Sequence, residues 1–292
     1  MSREQEVARR RERARQEGLR AELVSGEPFL GRYRVTGRSG RAHEVKFRWA
    51  RGAACRCDCQ DYETKGLGTC KHIEAVWLHL EEHLGPERLS QQAARASRPS
   101  WAGAVLDGGS AVFFDLETQR IFEEVGGRHH LDRLGVSAAV TYSDADGGFR
   151  DYLEQDVPAL IERLLRAPLI VGFNVLRFDY EVLAGYSAQA DRLYGVPTLD
   201  LMLELEQSLG WRPGLESLAR ATLGTSKLAT GLEAVEWFRQ GRLSDVVRYC
   251  REDVEITRRL FEFGLSQGYL KVVDRQGQEL SVPASWRAGA AA

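Results

Sequence analysis

The 292-residue chain is 43% hydrophobic, 28% charged and 9% aromatic. This globular composition can fill about two domains and excludes a disordered, collagen-like or disulfide-scaffold chain. No apolar run approaches the roughly 18 residues of a membrane span, and the N-terminus, MSREQEVARRRERARQEG, lacks an apolar leader core, so a cytoplasmic protein with no membrane partner is expected. The formal net charge of −2 is unevenly spread: residues 1–100 carry 20 Lys and Arg against 14 Asp and Glu, and the remainder 20 against 28. A basic first part suggests a polyanionic partner, and an acidic second part fits a protein that gathers carboxylates around metal ions.

In chain order, residues 1–24 read as an Arg-rich helix in which Arg9, Arg10, Arg11, Arg13 and Arg15 crowd one stretch. It is either a solvated helix or a phosphate-contacting arm. Tyr33–Trp49 alternates around a Gly-Arg-Ser-Gly turn as a β-hairpin does. Four of the five cysteines fall between positions 55 and 70, which in a reducing compartment favours metal ligation over disulfides. The segment HIEAVWLHLEEHLG then places Ile73, Val76, Trp77, Leu80 and Leu84 at helical spacing and stops at Gly85-Pro86. The polar stretch SQQAARASRPS has linker composition. The expected organisation is a basic helix (1–24), a small zinc-binding module (25–89), a linker (90–102), a larger domain (103–270) and a C-terminal tail (271–292).

The larger domain opens with AVFFDLE, a buried strand, and SAAVTYSDADGGFRDYL adds two more strands joined by a turn. Then VPALIERLLRAP reads as a helix, LIVGFN as a strand, FDYEVLAGYSAQA as a helix and GVPTLDLM as a strand. Beyond Pro213 the pattern is mostly helical, through LESLARATLG, LEAVEWFRQG and LSDVVRYCREDVEITRRLFEFG. The expected class is α/β: a mixed sheet flanked by helices, preceded by a small zinc-binding ββα unit.

Cys57-Asp58-Cys59, ten further residues and Cys70-Lys71-His72 supply three thiolates and an imidazole within sixteen residues. That is the donor set of a structural tetrahedral Zn²⁺, and in so small a domain the metal contributes much of the folding free energy. A set shifted to include Cys55 with Cys57 and an arrangement of buried free thiols are the alternatives; His79 and His83 read as surface or partly packed histidines. The stretch CDCQDYETKGLGTCKHIEAVWLHL resembles a SWIM zinc finger, with its Cys-x-Cys, variable gap, Cys-x-His and apolar helix. The resemblance implies that Cys57, Cys59, Cys70 and His72 hold one structural Zn²⁺ and that the module binds DNA or another protein.

Three motifs of the larger domain carry acids where its elements end. Asp115 and Glu117 close AVFFDLE with a spacing of two, which points both to one side of the strand. Asp179 begins a helix in GFNVLRFD, and Tyr249 and Asp253 are spaced i, i+4 in VRYCREDV. Singly, an acid at a strand end or helix start is most often solvated or a cap. Gathered together, four carboxylates repel one another unless cations compensate them, and hard oxygen donors select Mg²⁺ or Mn²⁺. Two such ions about 4 Å apart can activate a water and stabilise the leaving oxygen in phosphodiester cleavage.

The ordered set D-x-E, N-x3-F-D and Y-x3-D resembles the DEDDy branch of RNase H-like 3′-to-5′ exonucleases, which includes proofreading domains of family B DNA polymerases, over about residues 103–270. The resemblance implies Asp115, Glu117, Asp179 and Asp253 as ligands of two Mg²⁺ or Mn²⁺ ions, Tyr249 as the group that positions the water, and Asn174 as a contact to substrate or a neighbouring loop. Phe178 is expected in the core, and Asp200, in TLDLM, is expected to be structural. The arrangement is also similar to exonuclease modules attached to, or encoded beside, bacterial superfamily 2 helicases. This sequence has no Gly-x4-Gly-Lys-Ser/Thr loop, so helicase activity would come from another polypeptide or from a region outside this sequence. Lys65, Lys71 and the Arg-rich start are candidate phosphate contacts. The expected function is metal-dependent 3′-to-5′ hydrolysis of single-stranded DNA ends. A catalytically weak nucleic-acid-binding adaptor and an RNA-processing exonuclease stand as alternatives, because no residue identifies a 2′-hydroxyl reader.

Overall fold

The computed structural model describes residues 3–48, 55–65, 68–97, 101, 104, 110–225, 230–274 and 276–287. Trp49, the side chain of Lys65, positions 98–100, 102 and 103 at the expected boundary, and residues 288–292 lie outside the described residues. The chain divides into two compact units, 1–99 and 100–292.

The first unit begins with α1 (Arg3–Gln16). This helix is shorter than the expected 1–24, because Gly18 adopts φ 61°, a left-handed conformation that ends a helix. The chain then enters an antiparallel sheet of β1 (Arg20–Glu27), β2 (Leu30–Thr36), β3 (Ala42–Arg48) and the two-residue β4 (Arg56–Cys57), in sequence order. The expected hairpin is β2–β3. The strand β1 gave no alternation signal because it is exposed almost throughout, with Leu23 and Val24 at the surface. In β2 and β3 the period of two sends Tyr33, Val35, Val45 and Phe47 inward. They join Ile73, Val76 and Leu80 in one apolar core, and Trp77 meets Phe47 edge-on at 5.1 Å.

Between sheet and core helix lies the short α2 (Gln60–Lys65). The core helix α3 (Lys71–Ser97) is broken at Gly85 (φ 71°, ψ 162°), where the sequence expects a stop, but it resumes at Pro86. Residues 90–97 are therefore helical and not linker. Their Gln, Ala and Arg content, which reads as linker composition, is also good helix-forming composition.

The second unit is built on β5 (Val112–Thr118), β6 (Val136–Ser143), β7 (Gly148–Tyr152), β8 (Ile170–Gly172) and β9 (Thr198–Asp200). Their order in the sheet is β7-β6-β5-β8-β9. The β5–β6 and β6–β7 pairs are antiparallel, and β5–β8 and β8–β9 are parallel. The α/β class with a mixed sheet is thus the one observed. The helices are α4 (Val157–Leu165), α5 (Asp179–Leu183), α6 (Leu201–Leu209), α7 (Leu215–Leu218), α8 (Gly231–Arg239) and the long α9 (Leu243–Gln267). None of the described helices is long and apolar enough to cross a membrane.

Nearly every residue of β5 and β6 is buried, as expected of strands covered on both faces. Phe113, Val171 and Leu199 of the sheet share a core with Cys250, Val254, Leu260 and Phe261 of α9. Asp115 and Glu117 lie on the Phe113 side of β5 by strand alternation, and so they face α9.

Residues 271–292, expected as a tail, are in part structural. The strands β10 (Tyr269–Val273) and β11 (Glu279–Pro283) form an antiparallel hairpin, and Val272, Val282, Ala284 and Trp286 belong to the same core as α9. The indole N–H of Trp286 donates to Phe261 O at 3.2 Å. The ring lies so close to Gly264 that an added Cβ there would come within 2.4 Å of it. Trp286→Ala should destabilise the protein by about 3–5 kcal/mol, measured by denaturant unfolding. Equal stability of Trp286→Ala and wild type would return this segment to the status of a tail.

Candidate active site and metal centre

The acidic site grows from the meeting of β5 with α9. Two residues of spacing put Asp115 and Glu117 on the same side of β5, and four put Tyr249 and Asp253 on the same side of α9. Tyr249, Asp253 and Glu117 are buried, and Asp115 is half-buried. Asp115, Glu117 and Asp253 can each offer an oxygen such that all three lie within 4.8 Å of one another. Tyr249 lies beside Asp253 on α9, close enough for the phenol to feel the carboxylate's charge. Burial, and then the charges of Asp253, Glu117 and Asp115, push the phenol above its ordinary range, so Tyr249 remains a neutral O–H at neutral pH. The Cys250 thiol donates to the Asp115 carbonyl oxygen at 3.3 Å and to Oδ2 at 3.6 Å, packing a soft, dry surface behind that carboxylate.

Asp179 reaches the site by a different route. The strand β8 is only three residues long and pairs with β5 only at Val112 and Phe113, so the Leu116 N–H is left without a partner from β8. Asp179, at the start of α5, fills this place, its Oδ1 accepting from Leu116 N at 3.1 Å. It is thus bonded to the strand between Asp115 and Glu117, outside the set of three whose oxygens lie within 4.8 Å. Burial, followed by the charge of Asp115, holds its carboxyl well above the usual range.

The turn that delivers Asp179 is fixed by Asp200. After Gly172, where an added Cβ would collide with Val175 at 2.3 Å, the chain passes through Asn174 at φ 68°, the one non-glycine residue with positive φ among the described residues. Asp200 at the end of β9 accepts from Asn174 N (2.8 Å), Leu176 N (3.1 Å) and Leu203 N (3.3 Å). It therefore caps α6 and clamps the turn at once. Burial pushes its carboxyl up to about 6 against the pull of these three N–H donors. The Asn174 side-chain oxygen is buried and has no hydrogen-bond partner among the described residues.

Aromatic groups flank the site, and of these only Phe178 is singled out by the sequence. Phe178, expected in the core, is only half-buried and meets Phe122 edge-on at 6.2 Å, with Arg128 over the Phe122 ring. Trp237 of α8 meets Tyr249 edge-on at 6.2 Å and carries Arg242 over its own ring. Trp237 sits in a segment whose pattern signals only an amphipathic helix, which is why it escaped notice.

In the first unit, the Sγ atoms of Cys57, Cys59 and Cys70 and a ring nitrogen of His72 lie within 4.8 Å of one another, all four residues buried. His72 Nδ1 stands 3.5 Å from Cys57 Sγ and 3.9 Å from Cys70 Sγ. Cys55 is buried outside this group, and its carbonyl oxygen accepts from the Tyr62 hydroxyl at 2.6 Å. The bonds it makes to Cys59 and Cys70, and then burial, push the Cys57 thiol up. Cys57 and Cys70, as donors, pull Cys59 down. A cation replacing those shared protons satisfies three converging sulfurs at once. His43 was not anticipated: its ring stacks on His72 at 4.1 Å and its Nδ1 is 2.8 Å from Asp58 Oδ1. Of the two candidate phosphate-contacting lysines, Lys71 is ion-paired with Glu17.

The raised carboxyl of Asp200 gives a pH dependence whose sign is fixed. Between the ordinary carboxylate value near 4 and the native value of about 6, the native state binds a proton that the unfolded state does not, so the contribution of Asp200 to stability falls as pH rises through that window. In urea unfolding, the stability of wild type relative to Asp200→Asn should drop by up to about 3 kcal/mol between pH 4 and pH 7. A relative stability that grows with pH would contradict this reading of the clamp.

The mixed five-stranded sheet with order 3-2-1-4-5 and an acidic cluster at its central strand can now be set beside known proteins. No curated protein matches the chain. The family model described as the RNase_H superfamily matches residues 112–263, just over half of the chain, from the first residue of β5 to within four residues of the end of α9. Members of that superfamily generally hydrolyse phosphodiester bonds with the help of divalent metal ions, which agrees with three carboxylates converging from a strand and a helix. The chain belongs to the RNase H superfamily.

Proposed function

We propose that this protein is a metal-dependent 3′-to-5′ exonuclease acting on single-stranded DNA ends, with a SWIM-type zinc finger attached for nucleic-acid or partner binding. The observation that carries the reading is the convergence of Asp115, Glu117 and Asp253 within 4.8 Å, with Tyr249 beside them on α9. An adaptor needs neither the acids nor the phenol. Membership of the RNase H superfamily supports cleavage of nucleic acid; the tyrosine-containing motif supports the finer assignment.

The donor set fits divalent cations: hard carboxylate oxygens, mutually repelling, one of them on a half-buried side chain open to solvent. Asp115, Glu117 and Asp253 would hold Mg²⁺ or Mn²⁺, with Asp179 joining them. Such ions supply a water nucleophile at neutral pH and stabilise charge on the leaving oxygen. The chain's own contribution is positional. Tyr249, one helical turn before Asp253 on α9, would accept from the attacking water with its phenolic oxygen and aim it at phosphorus. In the hydrolysis, a water oxygen bonds to phosphorus as the bond to the 3′ oxygen breaks, which releases a 5′-mononucleotide. Cys250 fixes Asp115 from behind, and Asp200 fixes the turn that delivers Asp179.

In the first unit, Cys57, Cys59, Cys70 and His72 would hold one structural Zn²⁺. A helicase acting with this chain, as in the modules that it resembles, is the proposed partner.

Digestion of 5′- and 3′-labelled DNA and RNA strands with Mg²⁺, Mn²⁺ or EDTA tests the assignment. Wild type should release mononucleotides from the 3′ end only when Mg²⁺ or Mn²⁺ is supplied. Asp115→Asn and Asp253→Asn should lower the rate by about 10³-fold or more while the protein stays folded, and Tyr249→Phe by about 10²-fold. Activity surviving in Asp115→Asn, or a folded, metal-loaded wild type that degrades neither DNA nor RNA, would sink the enzyme assignment and favour the adaptor.

Elemental analysis checks the finger. Wild type and Cys55→Ser should carry about one zinc per chain, and Cys70→Ser should lose it. Loss of zinc from the Cys55 variant would show that the ligand register is shifted.

A further inference from the structure

The excess of positive charge in the first unit invites the Arg-rich helix as its polyanion contact, but Arg9, Arg10, Arg11, Arg13 and Arg15 each already face a carboxylate. Arg10 is buried between Glu6 and Asp61, Arg11 pairs with Glu81, Arg9 with Glu6, Arg13 with Glu17 and Arg15 with Glu12. Arg10 and Arg11 tie α1 to the rest of its unit through Asp61 and Glu81, and the other three pairs are local to the helix and its C-terminal end. Lys71 is likewise taken by Glu17.

A different feature keeps its charge. The turn between β2 and β3, Gly37–Arg41, carries Arg38 and Arg41, both exposed and neither paired with a carboxylate among the described residues. Gly40 adopts φ 73° in this turn, which only glycine takes without strain. The two guanidinium groups edge an open cavity of about 520 Å³ whose walls include His43, His72 and the Lys71–Glu17 pair. The stacked imidazoles of His43 and His72 are 4.1 Å apart. With its Nδ1 engaged by Asp58, His43 has Nε2 as its remaining polar atom. Acid and base at Lys71 and Glu17 offset each other, so the groove presents two unpaired guanidinium forks beside the His43 imidazole.

We propose that this groove binds the phosphodiester backbone of a nucleic-acid strand through Arg38 and Arg41. The inference rests on the reading of the chain as a nucleic-acid enzyme and assigns the finger a ligand class and a surface. Arginine forks match phosphate oxygens bidentately, and cationic edges beside a ring face are the combination that tracks a single strand. An acidic peptide would also meet two arginines. Nucleic acid is favoured because the same chain carries an RNase H superfamily unit.

The test measures binding of a fluorescein-labelled 20-nucleotide single strand to the full chain at several salt concentrations, in an Asp115→Asn background so that the strand survives. Arg38→Ala/Arg41→Ala should weaken binding about tenfold and reduce the salt slope by about 1.4, since each phosphate contact on a single strand contributes about 0.7. Arg9→Ala/Arg15→Ala, which removes two arginines already paired on α1, should bind within about twofold of the parent. Unchanged zinc content shows that the finger is intact, and Arg38→Gln/Arg41→Gln should repeat the loss with the side-chain length largely kept. The proposal is overturned if the turn variants bind as the parent does, if the α1 variant loses as much as they do, or if poly-glutamate of equal charge competes as well as unlabelled oligonucleotide, which would mark a protein partner. Wild-type cleavage, assayed separately, keeps the two readings apart: Arg38-dependent binding by a chain that cleaves nothing would leave the groove standing and remove the exonuclease.

Discussion

Asp115, Glu117 and Asp253 bring three carboxylates within 4.8 Å at a site that is largely buried, and their mutual repulsion is the constraint that the surrounding structure has to withstand. Like charges at such separations raise one another's pKa values and disfavour the compact state. The fold resists by placing the acids on elements that cannot part easily. Two sit on the central strand of a five-stranded sheet, and the third on a 25-residue helix locked to that sheet through Cys250, Val254 and Phe261. A cation turns the repulsion into attraction, so what destabilises the empty cluster is also what gives it affinity for metal.

The same logic explains the devices around the cluster. Asp200 is a buried acid that three backbone N–H groups only partly compensate, yet it holds the left-handed turn at Asn174 and thereby the start of α5. Asp179 in turn satisfies the strand N–H that a longer β8 would have covered. Tyr249 is held between Trp237 and Asp253. Each arrangement spends local stability on the position of one oxygen, as functional sites commonly do.

Readability from sequence followed locality. Asp115 with Glu117 and Tyr249 with Asp253 could be paired because a period of two and a spacing of four fix their sides without knowledge of the rest of the chain. The strand order was legible only as a mixed sheet. What Asp179 touches depends on the length of β8 and on Asp200, 21 residues further on, and no periodicity reports that. Cys250 reads as a core thiol until α9 is laid against β5. The C-terminal hairpin reads as a tail in sequence because its two five-residue strands carry little signal, and the socket for Trp286 is Gly264, 22 residues earlier. In the first unit the Cys-x-Cys and Cys-x-His pairs were legible, whereas His43, which reaches them only across the sheet, was not. The Arg-rich helix misled for a related reason: composition counts charges, and only the fold shows which of them already have partners.

Both units follow one electrostatic pattern. Donors that would repel or share protons are gathered in little space, and a cation completes the set. For the acidic cluster the direct measurement is the thermal unfolding midpoint of wild type and Asp253→Asn, with and without Mn²⁺. Removing one charge relieves repulsion but also removes a ligand, so the account predicts that the variant is the more stable of the two without Mn²⁺ and the less stable with it. A wild type that Mn²⁺ fails to stabilise, or a variant that it stabilises equally, would contradict the claim that these carboxylates are arranged to hold metal.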